Sequence, residues 1–176
     1  MRLFIALDLK ELEDYFKKIQ KQIPAEPIAQ IKPVSSFHLT LKFLGEINNP
    51  DEIKKSLEKI KMQGLKLKLS PKLGVFPSES YIKVVWVGLE ENEDLIQLQK
   101  DIQKAVPHIR DDFKFLPHLT LARVKFIRNK EAFVKKIRSI KVDPKTVEIK
   151  KFKLIKSELT RKGAKYTDLT SFPQSL

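Results

Sequence analysis

Cysteine is absent from the 176-residue chain, which excludes disulfides, thiolate nucleophiles and zinc–sulfur sites. Only five glycines occur, and no Gly- or Ser-rich linker divides the sequence. Long apolar runs are missing too. Lys or Glu interrupts every hydrophobic stretch before it reaches the roughly 18 residues of a spanning helix. The opening MRLFIALDLKEL meets acidic residues too early for a signal peptide and reads as a strand entering a helix. A soluble, cytoplasmic protein that stays off membranes is the expectation. Acidic residues are also in deficit: 22 Asp and Glu face 35 Lys and Arg, a formal net charge of +13.

About 41% of the residues are hydrophobic and 32% charged, too apolar for a disordered tail and too polar for a membrane protein. The length suits one domain, or two small lobes sharing a core. The positive surplus concerns partners rather than fold. A pI near 9.8 fits a polyanionic partner, nucleic acid being the common one, and equally fits a Lys-rich solvated surface. Abundant Lys, Glu and Ile, with four Asn and two Met, is a composition found in heat-adapted, thermophile proteins.

Hydrophobic periodicity orders the elements. A strand is expected at Arg2–Leu9. A capping box from Asp8 to Glu11 then opens a helix with Leu12, Tyr15, Phe16, Ile19 and Ile23 on one face. Pro24, Pro27 and Pro33 make Pro24–Ser36 a loop. A strand follows at Phe37–Leu44, then Gly45. Asn49 caps a helix that turns Ile53, Leu57 and Ile60 inward. Leu65–Leu69 alternates as a half-buried strand, and a short strand at Leu73–Phe76 ends at Pro77. The order then restarts. A strand at Tyr81–Leu89 is followed by a helix at Glu91–Val106, a charged loop to Pro117 and a strand at His118–Val124. Asn129 caps another helix, with Phe133, Ile137 and Ile140 facing in. Lys145–Leu159 reads as one long strand whose apolar residues change parity, which predicts a bulge near Lys150 and Lys151. Tyr166–Thr170 closes the chain.

Both halves therefore read β-α-β-α-β-β. His38-Leu39-Thr40-Leu41 recurs 80 residues later as His118-Leu119-Thr120-Leu121, and the cap Asn49 recurs at Asn129. This predicts an α+β fold of two pseudo-symmetric lobes, approximately 1–80 and 81–176, joined as a single domain over 1–176. Side chains on a strand alternate faces. Leu39, Leu41 and Phe43 should share one face, with His38, Thr40 and Lys42 on the other; Leu119 and Leu121 likewise oppose His118 and Thr120. Pseudo-symmetry would set the two polar surfaces across a cleft. A lone HLTL reads as readily as a structural strand. The duplicated pair, holding two of only three histidines, points to chemistry.

Imidazole titrates near neutrality, so one ring can accept a proton while its partner gives one. Two such rings on opposite sides of a phosphorus suit in-line displacement, one activating the nucleophile and the other protonating the leaving oxygen. The threonine two residues on can donate to a non-bridging phosphate oxygen. A metal site would have a thin ligand set, since neither motif contains an acidic residue. His108, beside Pro107, has no counterpart and reads as structural.

The paired H-x-T motifs, with FHLTLKFLGEI at 37–47, VVWVGL at 84–89, PHLTLARV at 117–124 and the opening MRLFIALDL, resemble the 2H phosphoesterase superfamily. The closest resemblance is to its RNA 2′,3′-cyclic phosphodiesterase branch, also called 2′–5′ RNA ligase or LigT/ThpR-like, and it extends over the whole chain. It implies a bilobal fold with mainly antiparallel sheets around a central cleft. It also implies cofactor-free, metal-independent hydrolysis of an RNA-terminal 2′,3′-cyclic phosphate to a 2′-phosphomonoester, with reverse 2′–5′ ligation in several members. Carried over by position, His38 and His118 are the acid–base pair, and Thr40 and Thr120 bind phosphate. Departure of O3′ assigns His38 as proton donor and His118 as proton acceptor, roles that a pseudo-symmetric site leaves open to exchange. Arg123 matches a family position but falls on the leucine parity of an ideal strand. Lys42, on the His38 face, is a further candidate contact for RNA. Phe43 and Trp86 fit core positions better than base-stacking ones. Asp111 and Asp112 make the stretch before the second motif acidic, a departure from the family. A small cyclic-phosphate substrate, a 2′–5′ oligonucleotide and a non-catalytic RNA-binding module remain open as alternatives. A monomer is expected.

Overall fold

Residues 1–107, 109 and 114–173 are described by the structure, a computed structural model. His108, Asp111 and Asp112 lie outside the described residues. Strand β1 (Arg2–Asp8) enters a short 3-10 turn and then helix α1 (Glu13–Gln20), which buries Phe16 and Ile19. The expected capping box does not form. Asp8 Oδ1 accepts from the Lys10 amide at 2.9 Å, and its other oxygen is held by Lys153, so the helix begins without a side-chain cap.

The proline-rich segment holds a strand, β2 (Ala29–Pro33), where a loop was expected. It pairs with β6 (His118–Ile127), and Pro33 sits at its end, where a missing N–H costs no ladder bond. Strand β3 (His38–Glu46) contains Gly45, whose φ of +70° suits glycine. Helix α2 (Pro50–Leu57) begins at Asn49, whose Oδ1 accepts from the Asp51 amide. Strand β4 (Leu65–Ser78) is continuous, so the two expected strands are one, with a register shift between Leu69 and Leu73. Then follow β5 (Tyr81–Leu89), α3 (Glu93–Ala105), capped by Asn92, and, after β6, α4 (Lys130–Ser139), capped by Asn129.

The expected bulge at Lys150 and Lys151 is a break. Strand β7 (Thr146–Ile149) pairs with β4, whereas β8 (Phe152–Thr160) lies between β1 and β9 (Gly163–Phe172). The change of parity marks the chain leaving one end of the sheet for the other. A sequence pattern cannot separate that from a bulge, because both reverse the buried face.

The strand order is β7-β4-β5-β6-β3-β1-β8-β9, with β2 alongside β6 and antiparallel pairing at every junction. Strands β3 and β6 touch at one register pair, Leu39 opposite Leu119. These residues are equivalent in the repeat, so the pseudo-twofold axis passes between them. Leu39, Leu41, Leu119 and Leu121 are fully buried in one continuous core with Phe16, Ile102 and Phe133 from the helices. The leucines thereby leave His38, Thr40, His118 and Thr120 on the opposite face of the sheet.

Candidate active site

A cleft of about 550 Å³ opens on that face and is lined by His38, Thr40, His118, Thr120 and Arg123 together. The motifs, 80 residues apart in sequence, meet there because β3 and β6 are adjacent at the pseudo-twofold axis.

Each motif strand carries a bulge at the same place. Between β1 and β3 the register steps from Ala6–Thr40 to Ile5–Lys42, leaving Leu41 without a partner. Between β5 and β6 it steps from Trp86–Thr120 to Val85–Ala122, leaving Leu121 without one. The extra residue reverses the side chains that follow it, in β3 up to a second step between Phe43 and Gly45. Lys42 and Ala122 consequently join the core face, and Phe43 and Arg123 join the cleft. The Leu121 carbonyl accepts from the Val34 amide at 3.0 Å and from Gln20 Nε2 at 2.8 Å, so the irregular backbone stays satisfied.

These bulges correct two readings and decide a third. Lys42 does not face the cleft: it is 1% exposed, and its ammonium donates to Gln103 Oε1 on α3 at 2.8 Å. Phe43 is not a core residue; it is 63% exposed and lines the cleft. Arg123, on the wrong parity for an ideal strand, reaches the cleft wall. Trp86 is half-buried, stacked on Phe76 at 4.8 Å with its ring 5.9 Å from His118, so it walls one histidine.

The two imidazoles have different surroundings. His118 Nδ1 lies 2.8 Å from the Leu116 carbonyl oxygen. A carbonyl only accepts, so Nδ1 carries the hydrogen and Nε2 is left for chemistry. Phe76 meets this ring edge-on at 4.9 Å. His38 lies between Phe4 at 5.9 Å and Tyr166 at 5.4 Å, with Ser36 Oγ 3.2 Å from Nδ1. Burial holds the His38 pKa below that of an ordinary imidazole; Asp8 and Asp168 oppose the drop, and Lys153 adds to it.

Behind His38 stands a charge cluster that the sequence did not reveal. Lys153 Nζ donates to Asp8 Oδ2 at 2.8 Å and to Asp168 Oδ2 at 2.7 Å. Burial would raise the Asp8 pKa, but the Lys153 hydrogen bond and charge, with the Lys10 amide, hold it below the usual carboxylate range. Burial likewise works against the Lys153 ammonium, and the two carboxylates raise its pKa above the ordinary value. Nothing in the order of residues announces this group, which the β1–β8 and β8–β9 registers assemble and the β1–β3 register sets beside His38. Among the described residues, no group of three or more His, Asp or Glu side chains gathers as a metal-ligand set. No helix among them is long and apolar enough to cross a membrane.

A half-barrel of antiparallel strands presenting two H-x-T motifs to one cleft defines the class of the 2H phosphoesterases. The sequence profile of the 2'-5' RNA ligase superfamily matches residues 10–161, and the chain belongs to that family. A relative from Methanocaldococcus jannaschii, named RNA 2',3'-cyclic phosphodiesterase, is 36% identical over 171 residues, covering 94% of this chain and 96% of its own. Among solved structures, TT0787 of Thermus thermophilus superposes with a TM-score of 0.82 at 28% identity, covering 98% of this chain and 97% of that one. Escherichia coli LigT in apo form gives a TM-score of 0.75 at 25% identity, covering 97% and 95%.

Proposed function

We propose that this protein is a metal-independent RNA 2′,3′-cyclic phosphodiesterase that opens the terminal cyclic phosphate to a 2′-phosphomonoester. The observation that carries the reading is the meeting of His38, Thr40, His118 and Thr120 in one cleft, from motifs that share no local sequence contact. The relative from M. jannaschii bears the name of that activity over nearly the whole chain, which supports the choice of substrate.

In the proposed step, water attacks phosphorus in line with the P–O3′ bond. His118 Nε2 takes the proton of the water as the P–O bond forms. His38 gives its proton to O3′ as the P–O3′ bond breaks, leaving the phosphate on O2′ and a free 3′-hydroxyl. Thr40 and Thr120 hydroxyls donate to the non-bridging oxygens, where negative charge grows. Replacing water by the 5′-hydroxyl of a second RNA leads through the same geometry to a 2′–5′ linkage, so ligation needs no further machinery. Arg123 on the cleft wall and the +13 net charge favour RNA over a small neutral ligand. We place the protein as a monomer acting in the cytoplasm.

The test is a short RNA ending in a 2′,3′-cyclic phosphate, incubated in EDTA with the parent, His38→Ala and His118→Ala. Expected is conversion to the 2′-phosphate by the parent, with kcat falling by about 10²-fold or more in each variant. A 3′-phosphate product, or turnover lost on chelation, would refute the mechanism. Turnover retained by both variants would refute the site.

A further inference from the structure

The two histidines are related by the repeat, but their neighbours are not. Asp8 lies opposite His38 in the β1–β3 register, so the two side chains are cross-strand neighbours on one face. The residue 80 positions on from Asp8 is Gly88, and it lies opposite His118 in the β5–β6 register. The comparison extends to the next strand. Ala6 pairs with Lys153, whereas its equivalent Trp86 pairs with Gly74. The surroundings of His38 thus include a carboxylate and an ammonium where those of His118 have two glycines.

A side chain at Gly74 would collide with the indole, and one at Gly88 would meet it tightly. A Cβ on Gly74 would sit 2.2 Å from Trp86 Cζ2, and one on Gly88 would sit 3.2 Å from both Ser70 Oγ and Trp86 Cζ3. An indole therefore occupies, behind His118, the space that the charge cluster occupies behind His38.

From this asymmetry we propose that Asp8, Lys153 and Asp168 form a fixed charge set that makes His38, rather than His118, the residue that holds and delivers a proton. The inference deepens the two-histidine reading and rests on it. The set comprises two carboxylates and one ammonium, a net charge of −1, so its field favours imidazolium over imidazole. It acts at a distance. Both Asp8 oxygens are already engaged, by the Lys10 amide and by Lys153, which leaves the His38 ring free to face substrate. His118 has a backbone carbonyl on Nδ1 and aromatic rings at its sides, an arrangement that leaves an open lone pair on Nε2.

Other groups face His38: Tyr166 from β9, Ser36 from the loop before β3, and Thr40 from its own strand. His118 lines the same cleft, together with the cations Arg2, Lys32, Arg123 and Lys162. These cations oppose the charge set while the cleft is empty. A bound phosphate neutralises them and sets a further negative charge beside His38, which together with the carboxylates behind the ring offsets the burial that depresses its pKa. Asp8, Lys153 and Asp168 are positioning residues in this scheme, since none needs to touch the reacting atoms.

The experiment follows the imidazole signals of full-length protein by NMR across pH, with His38 assigned through His38→Ala, in the parent, Asp8→Asn, Asp168→Asn and Lys153→Met. The His38 midpoint should move to lower pH in both carboxylate variants and to higher pH in Lys153→Met. The pH profile of kcat on cyclic-phosphate RNA should show an alkaline limb that moves in the same directions, because a donor is lost on deprotonation. At neutral pH, Asp8→Asn should lower kcat by about threefold or more. A loss of packing alone cannot move two variants of one ion pair in opposite directions. Midpoints that stay, or move together, would overturn the inference. So would a His38-linked limb on the acid side, which would make His38 the base. If the midpoints move as expected but no variant or parent turns over RNA, the charge set stands while its catalytic role and the proposed function fall.

Discussion

Replacing Gly74 by alanine tests how His118 is held. Gly74 lies opposite Trp86, and the added methyl would sit 2.2 Å from Cζ2 and 2.5 Å from Cε2 and Cη2. Ordinary carbon contacts need about 3.5 Å or more, so ring or backbone must shift by roughly 1 Å. Any ring shift disturbs its stack on Phe76 at 4.8 Å and its contact with His118 at 5.9 Å. Overpacking of this kind costs about 1–3 kcal/mol. For a domain of this size each kcal/mol lowers Tm by about 2–4 °C, giving an expected drop of about 2–12 °C. Trp86 is the sole tryptophan, so its emission reports the displacement directly, and kcat should fall as the wall behind His118 moves. Trp86→Phe deletes the benzo carbons that clash. In a double-mutant cycle, Gly74→Ala should therefore cost less in the Trp86→Phe background than alone. A Gly74→Ala protein with unchanged Tm and emission, or strictly additive costs in the cycle, would refute the packing argument.

Lys42→Met should lower stability by about 1–3 kcal/mol, because Gln103 Oε1 loses its buried donor, while RNA affinity and kcat of the folded protein stay at the parent value; calorimetry and kinetics separate the two. A substantial loss of RNA affinity would return Lys42 to the cleft. Folding depresses the His38 pKa, so the associated stability is complete above the unfolded value near 6.5 and declines as pH falls from there. Urea midpoints measured from pH 7 to 5 should show that decline in the parent and a shallower one in His38→Ala. Affinity for RNA should fall as salt rises, with a smaller log–log slope for Arg123→Ala than for the parent; equal slopes would remove Arg123 from the phosphate track.

Much of this architecture is legible in the order of residues. The recurrence of HLTL with its helix cap 80 positions on carries the repeat, because an Asn at a helix start and leucines on one strand parity each have a local physical reason. His38, Thr40, His118 and Thr120 follow from that parity. What escapes the sequence is whatever depends on register. An unpaired leucine just after each motif threonine reverses the face of the residues that follow, which sends Lys42 inward and Phe43 and Arg123 outward, yet the alternation of letters looks the same until partners are known. Strand β2 is masked by the prolines around it, since an edge strand tolerates them where a central strand would not. The break after β7 looks like a bulge because the chain continues in extended form on both sides. The Asp8–Lys153–Asp168 group spans 160 positions of sequence and has no motif at all.

The exchange of strands has a consequence for ancestry. Strand β4 leaves the first half to lie against β5, and β8 leaves the second to lie against β1, so each half completes its sheet with a strand from the other. A chain holding one half could satisfy its edges only by trading that strand with an identical copy. In such a homodimer every residue appears twice, and both histidines would face the same neighbour. Joining the copies through the tight turn between Ser78 and Tyr81 removes that constraint. In a fused chain one inherited position can become aspartate while its twin becomes glycine.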